Sequence, residues 1–244
     1  KGFLNRITEG EWEVTEMVGF GNDRIYYLST ETSPLRRNLY SIHCDGSQKK
    51  QLTEDNGTYR IVPSEGFRYY LSYFSNATTP ERVTLHRANG ETVRTLEDNA
   101  ALRDKLQQLQ LPTKQFFTFR TKNGEELNGY LIRPNDFDST QQYPVLMTQY
   151  SGPGSQRVAD QWEMEWTEVL VQEGYIVACV DGRGTGFRGE AFKKCTYGQL
   201  GRYETEDQIE AARYLSELPY VDASRIGIYG WSYGGFMALN CILR

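Results

Sequence analysis

The sequence predicts an all-β half followed by an α/β half, and three observations lead to this prediction. Residues 1–98 consist of short segments in which apolar and polar side chains alternate, as they do in half-buried strands. A repeat of 43 or 44 residues runs through the same region. From residue 114 onward, apolar strand-like runs alternate with helical patterns, which favours an α/β sheet.

Composition and charge exclude several classes of protein. The 244 residues include 39% hydrophobic and 13% aromatic side chains, which is enough for a packed core. The net charge of −5 argues against a nucleic-acid partner, because such proteins carry a basic stripe. No apolar stretch reaches the length of about 18 residues that a membrane helix requires. The four cysteines lack CxxC spacing, so we expect no metal site, and the sequence leaves their pairing open.

The repeat indicates the architecture of the first half. Residues 24–29 are echoed by 67–72, and residues 42–46 are echoed by 85–90. A repeat of roughly 40–50 residues built from about four strands is typical of a β-propeller blade. Two blades do not close a ring, so we interpret residues 1–98 as the last blades of a propeller whose earlier blades lie before Lys1. The strands expected in this half are 11–20, 24–29, 38–43, 67–74 and 82–88.

The second half follows a helical connector. Apolar residues recur at helical spacing over 100–110, and we assign 99–113 to a connector helix that Pro112 ends. Residues 114–244 then form an α/β domain that stops just after its main motif, which indicates a piece of a longer protein. The expected strands are 116–120, 127–132, 143–149, 175–180 and 225–229, and the expected helices are 162–173 and 204–218.

The main chemical motif is Gly230-Trp231-Ser232-Tyr233-Gly234, which matches G-x-S-x-G. A strand-like run precedes it and a helical run follows, as a nucleophile elbow requires. The two glycines let the chain pass closely without a Cβ clash, and the turn holds the serine hydroxyl out at the edge of the sheet. We therefore predict that Ser232 is a nucleophile on an α/β-hydrolase fold. The alternative is a tight structural turn with a capping serine.

Two tyrosines are candidates for stabilising an oxyanion. The backbone N–H of Tyr233, the residue after the nucleophile, is expected to supply one donor. The second donor normally comes from the loop after an earlier strand, where Tyr150 precedes Ser151-Gly152-Pro153. A phenol donates directly, so Tyr150 fits this role. The alternative is that Tyr150 is a packed aromatic beside a glycine-rich turn.

A third glycine-rich segment, residues 181–186, follows an apolar strand but lacks the G-x-G-x-x-G spacing of a dinucleotide site. We reject nucleotide binding and expect Asp181 and Arg183 to support the loops at the carboxyl edge of the sheet.

The general base and its orienting acid are missing from the expected places. In this fold they follow the serine, as Asp or Glu and then His. None of the 12 residues after Ser232 is Asp, Glu or His. His43 and His86 lie upstream, at the same point of the repeat, and are predicted to be structural. We expect no serine-hydrolase turnover from this chain alone.

These motifs together resemble the prolyl oligopeptidase family of serine peptidases, and within it the bacterial dipeptidyl peptidase IV branch. The resemblance rests on residues 27–34, 150–156, 181–186 and 206–213, and above all on Gly-Trp-Ser-Tyr-Gly-Gly at 230–235. It extends over essentially the whole chain.

The resemblance implies an activity and the roles of three residues. Ser232 matches the nucleophile, Tyr150 the hydroxyl donor to the oxyanion, and Tyr233 both the amide donor and one wall of a proline-preferring pocket. The implied activity releases X-Pro or X-Ala dipeptides from free peptide N-termini through an acyl-enzyme, without a cofactor. The catalytic Asp and His and the glutamates that bind the substrate amine fall outside this chain. The resemblance also implies a periplasmic or extracellular location and a homodimer for the full-length protein. An acylaminoacyl- or oligopeptidase of the same family, or a non-catalytic binding protein on the same scaffold, is the alternative.

Overall fold

A computed structural model describes residues 5–54 and 56–244. The chain forms two compact units. The first consists of residues up to Gln108 together with Ala159–Glu163, and the second consists of Leu109–Val158 together with Met164–Arg244.

The first unit contains two four-stranded antiparallel sheets, one for each copy of the sequence repeat. In each sheet every strand pairs with the next strand along the chain. The first sheet consists of β1 (Val14–Gly21), β2 (Arg24–Ser29), β3 (Asn38–His43) and β4 (Lys50–Gln51). The second sheet consists of β5 (Thr58–Pro63), β6 (Tyr69–Asn76), β7 (Thr79–Arg87) and β8 (Thr92–Glu97), with a 3-10 turn over Glu65–Phe67 before β6.

The alternating side chains of these strands build a core rich in aromatic rings. Tyr26 and Phe67 stack with their ring centroids 3.5 Å apart, and Phe67 in turn packs on Tyr70. Burial of these large rings contributes most of the apolar area of this core. The other buried members of this cluster are Leu28, Leu39, Leu52, Tyr59, Ile61 and Phe74. Strand β8 was not expected from the sequence, and all six of its residues are exposed. It therefore has no buried face to generate an apolar alternation.

The segment Ala159–Glu163 belongs to the first unit through hydrogen bonds of Asp160. The Asp160 carboxylate accepts from Arg36 Nε at 2.9 Å and from the Ala77 amide at 3.0 Å, and its amide donates to the Leu35 carbonyl at 2.8 Å. Trp162 donates its amide to Ser75 Oγ at 3.3 Å. The helix expected over 162–173 is therefore wrong at its start, because these contacts hold its first residues in an extended loop.

The second unit is built on one mixed five-stranded sheet. The helices and strands that follow β8 are α1 (Ala100–Leu109), β9 (Gln115–Arg120), β10 (Glu126–Ile132), β11 (Tyr143–Thr148), α2 (Thr167–Gln172), β12 (Ile176–Asp181), α3 (Glu190–Lys194), α4 (Tyr203–Ser216), β13 (Val221–Tyr229) and α5 (Tyr233–Ile242). The strand order is β13-β11-β12-β10-β9. β11 pairs in parallel with both β12 and β13, whereas β10 is antiparallel to both β9 and β12.

The core of this unit lies between the sheet and the helices that cover it. Every residue of β12 is buried, as the near-continuous apolar run at 175–180 predicts for a strand covered on both faces. Ala211 and Leu215 of α4 pack on the apolar side chains of the sheet. Two glycines occupy the turn and the helix end that the sequence indicates. Gly124 lies in the turn of the β9–β10 hairpin at φ +86°, and Gly174 follows the end of α2 at φ +85°. The short helix α3 was not expected from the sequence.

Candidate active site

Ser232 occupies the turn between strand β13 and helix α5. Its backbone has φ 56° and ψ −118°, and α5 begins at the next residue. A positive φ is strained for a residue with a Cβ, and such strain persists only where the surrounding structure enforces it. Ser232 is exposed, so its side chain is open to a substrate. The strand, turn and helix predicted around the serine are therefore all present.

The two glycines of the motif are required by close contacts. A Cβ on Gly230 would lie 2.4 Å from the Gly234 carbonyl group and 2.5 Å from Gln149 Nε2. A Cβ on Gly234 would lie 2.6 Å from the Gln149 carbonyl oxygen and 3.2 Å from Tyr150 Cα. Real Cβ atoms do not approach other heavy atoms this closely. The turn therefore packs directly against the loop that carries Tyr150.

Tyr150 lies at the end of β11, the strand next to β13. The Gln149 amide donates to the Tyr229 carbonyl at 3.1 Å, which extends the parallel pairing to the last residue before each loop. The Tyr150 ring centroid lies 6.2 Å from the Tyr233 ring centroid, and 36% of Tyr150 is exposed. The structure thus brings together Tyr150 and the serine turn, which are about 80 residues apart in the sequence.

Tyr233 is the first residue of α5, where backbone N–H groups have no acceptor within the helix. The amides of Gly234 and Gly235 donate within the turn, to the carbonyls of Trp231 and Ser232. Within the described part of the chain, the Tyr233 amide has no backbone acceptor. A helix N-terminus with a free N–H favours negative charge, so this amide is suited to an oxyanion.

The Tyr233 phenol is held by a buried glutamate that sequence reasoning did not single out. The hydroxyl donates to Glu204 Oε1 at 2.7 Å, and Glu204 Oε2 accepts the Gly201 amide at 3.1 Å. Glu204 lies in the first turn of α4 and is fully buried. Burial raises the pKa of the Tyr233 phenol, and its bond to Glu204 raises it further. The motif at 206–213 begins two residues later and gave no signal for this contact.

Two buried aspartates fix the neighbouring loops, as expected for the glycine-rich segment. Asp181 accepts the amides of Arg157 and Val158 at 2.9 and 2.7 Å. Burial raises the pKa of Asp181 to about 6. Arg183 donates through its guanidinium to Asp207, with the Nη2–Oδ1 distance at 2.7 Å. Burial also raises the pKa of Asp207, although its bonds to Arg183 act in the opposite direction.

A cleft of about 480 Å³ opens beside Tyr150. The indole of Trp231 lines it with 79% of its surface exposed, and Trp166 packs edge-on against Tyr229 in its wall. Arg157 and Glu165 form an ion pair there. The cleft thus combines aromatic walls with many polar and charged side chains.

Neither histidine lies in the second unit. His43 bonds to Arg24 Nη1 at 2.8 Å across the β2–β3 pair. His86 bonds to Ser72 Oγ at 2.9 Å and stacks on Tyr70, and burial lowers its pKa. Both rings thus bond within the sheets of the first unit, which fits the predicted structural role.

Among the described residues, 5–54 and 56–244, no helix has both the length and the apolar character that a membrane span requires. No group of three or more His, Cys, Asp or Glu side chains among them is arranged to hold a metal ion. Cys44, Cys179, Cys195 and Cys241 are free thiols.

Ser232 thus lies at positive φ between a parallel strand and a helix, beside the tyrosine that follows the neighbouring strand. Comparison with known proteins identifies relatives of the chain. The profile of the prolyl oligopeptidase family matches residues 161–244, and that of the dipeptidyl peptidase IV N-terminal region matches residues 1–81.

Individual relatives match along nearly the whole chain. A probable dipeptidyl-aminopeptidase B of Trichophyton verrucosum is 38% identical over 97% of this chain, and a probable dipeptidyl peptidase 4 of Emericella nidulans is 36% identical over 95%. The crystal structure of Porphyromonas gingivalis dipeptidyl peptidase 4 superimposes on 99% of the chain with a TM-score of 0.95 and 47% identity. A putative dipeptidyl aminopeptidase IV from Bacteroides ovatus covers the whole chain with a TM-score of 0.87 and 27% identity.

The chain belongs to the prolyl oligopeptidase family. It spans 27% and 31% of the length of the two fungal relatives and 34% of the Porphyromonas gingivalis chain.

Proposed function

We propose that the full-length protein is a serine-type dipeptidyl aminopeptidase that releases X-Pro and X-Ala dipeptides from the free N-termini of peptides. The observation that carries the proposal is the strained, exposed Ser232 packed against the Tyr150 loop. The names of the relatives support the same activity.

The proposed chemistry proceeds in two stages. A general base takes the proton of Ser232 Oγ, which attacks the carbonyl carbon of the second substrate residue. The resulting oxyanion accepts hydrogen bonds from the Tyr150 hydroxyl and the Tyr233 amide. When the peptide amine leaves with a proton, the dipeptide remains as an ester of Ser232. Water then hydrolyses this ester, again through an oxyanion at the same donors.

The architecture supports a matching proposal for the fold. We interpret the two four-stranded sheets as propeller blades, because each copy of the repeat forms one up-and-down sheet. The second unit is interpreted as the first part of an α/β-hydrolase domain, with the nucleophile after β13. We retain the assignment of 1–98 to blades, 99–113 to a connector and 114–244 to the catalytic domain.

Hydrolysis of Gly-Pro-p-nitroanilide by the full-length protein tests the activity. Ser232→Ala should abolish it, whereas Ser216→Ala, which removes the hydroxyl that donates to the Arg213 carbonyl in α4, should leave it unchanged. Equal hydrolysis by the wild type and Ser232→Ala would contradict the proposal.

The alternatives give different results in the same assay. An acylaminoacyl- or oligopeptidase would cleave N-succinyl-Gly-Pro-p-nitroanilide, which a dipeptidyl aminopeptidase rejects because the free amine is blocked. A non-catalytic binding protein would neither cleave the substrates nor react with a fluorophosphonate at Ser232.

We also propose that the 244-residue chain by itself has no turnover. No Asp, Glu or His follows Ser232 within it, and both histidines are engaged in the sheets of the first unit. Fluorophosphonate-sensitive peptide hydrolysis by this chain would contradict that proposal.

A further inference from the structure

We propose that Gln149 is a positioning residue that sets the place of the Tyr150 hydroxyl relative to Ser232. The inference rests on the proposed function and adds a residue to it. Gln149 is the last residue before the loop of Tyr150, and only 5% of it is exposed.

The side chain of Gln149 joins the two loops that form the site. Its Nε2 donates to the Gly234 carbonyl at 2.7 Å, so it bridges from the end of β11 to the first turn of α5. Its backbone amide donates to the Tyr229 carbonyl at 3.1 Å. One residue therefore bonds to the chain on both sides of Ser232.

The orientation of this amide follows from its partners. The Gly234 carbonyl only accepts hydrogen bonds, so the nitrogen must face it and the oxygen faces the other way. Gln149 Oε1 then accepts from Ser151 Oγ at 3.0 Å. Ser151 Oγ in turn accepts from Gln208 Nε2 at 3.3 Å, and Gln208 donates to the Val180 carbonyl at 2.8 Å. A buried hydrogen-bonded chain thus runs from β12 through α4 to α5.

This series of hydrogen bonds fixes Gln149 and Ser151, the residues on both sides of Tyr150. Ser151 is 1% exposed and has a φ of 58°, so the backbone turns sharply directly after Tyr150. The bond from Ser151 to Gln149 spans that turn. Because both neighbours are held, the tyrosine side chain is directed outward from a fixed base.

Gln149 packs tightly against the serine turn. Its side-chain Nε2 lies 2.5 Å from where a Cβ on Gly230 would be, and its backbone carbonyl oxygen lies 2.6 Å from where a Cβ on Gly234 would be. A leucine of similar size would fill the same volume but leave Ser151 Oγ without its acceptor and the Gly234 carbonyl without this donor. Buried polar groups left in this way are costly, so the two loops would separate or shift.

A double-mutant cycle in the full-length protein tests the role. Gln149→Leu should lower kcat for Gly-Pro-p-nitroanilide about 10- to 100-fold with little change in KM, because a small displacement of a transition-state donor affects the chemical step. In the Tyr150→Phe background the same change should cost less than about 3-fold, because the hydroxyl that Gln149 positions is already gone.

Thr121→Val is the matched control. It removes a buried side-chain hydrogen bond, accepted from the Glu125 amide at 3.1 Å, in the β9–β10 hairpin at the opposite edge of the sheet. It should lower thermal stability without changing kcat. Should Gln149→Leu fail to fold, Gln149→Met provides the test with an unbranched side chain of near-equal volume.

The outcomes separate this proposal from the proposed function. An equal loss of kcat in the wild-type and Tyr150→Phe backgrounds, or no loss of kcat in the wild-type background, would overturn the positioning role while Ser232→Ala and Tyr150→Phe still impair the enzyme. If Ser232→Ala and Tyr150→Phe have no effect, the proposed function itself is wrong.

Discussion

Replacing Gly234 by alanine would push the serine turn away from the loop of Tyr150. The new Cβ would lie 2.6 Å from the Gln149 carbonyl oxygen, whereas ordinary contacts begin at 3.4 Å. The new Cβ would meet a backbone atom, which cannot move aside alone as the end of a flexible side chain can. Helix α5 and the loop must therefore separate by roughly 0.8 Å. A displacement near 1 Å costs about 100-fold in rate, or about 2.7 kcal/mol of transition-state stabilisation.

The assay is kcat/KM for Gly-Pro-p-nitroanilide with the full-length protein, and Gly235→Ala is the matched control. A Cβ on Gly235 would lie 3.4 Å from the Gly230 carbonyl oxygen, which is an ordinary contact. Alanine also favours a helix over glycine there. If Gly234→Ala retains activity within about threefold of Gly235→Ala, the close fit between turn and loop does not control catalysis, and the reasoning fails.

Three other expectations follow from the site. Tyr150→Phe should lower kcat about 100-fold and leave KM nearly unchanged, the usual effect of losing one oxyanion donor; an unchanged kcat would exclude the phenol from that role. Glu204→Leu should lower the free energy of unfolding by about 1–3 kcal/mol, measured by thermal or denaturant unfolding. Glu204→Gln should keep most of that stability, because the glutamine amide can still bond to the Tyr233 hydroxyl. Equal losses of stability in both variants would contradict this role of Glu204. Burial raises the pKa of Asp181 from 3.8 to about 6 in the folded protein. The wild type should therefore lose stability relative to Asp181→Asn as the pH rises from about 4 to 6, by up to about 3 kcal/mol. A constant difference in stability over that pH range would show that the carboxyl ionises normally.

Local sequence signals predicted many of the elements that have a buried face or a turn residue, although β5, with Tyr59 and Ile61 buried, was not expected. The strands Arg24–Ser29 and Asn38–His43 and the helix Tyr203–Ser216 lie within two residues of their expected bounds. The turn at Ser232 between a strand and a helix was also predictable, because its glycines and serine obey a local geometric requirement.

Contacts between distant segments explain what the sequence did not reveal. The helix expected from residue 162 begins at Thr167, because Asp160 and Trp162 bond to strands of the first unit, through Thr58 and Ser75, instead. The contacts of Gln149 and Glu204 with the serine turn join residues 85 and 29 positions apart. No spacing rule links them, since only the pairing of β11 with β13 and the packing of α4 bring them together.

Under the proposed function, the positive φ of Ser232 makes activity and stability compete at this position. Glycine adopts this backbone freely, so Ser232→Gly would relieve strain of roughly 1–3 kcal/mol, whereas alanine would keep it. A lineage that no longer needed the hydroxyl would thus gain stability by drifting to glycine at the turn. A serine at this backbone torsion angle is therefore expected to persist only while its hydroxyl is needed for activity, and to be replaced by glycine once it is not.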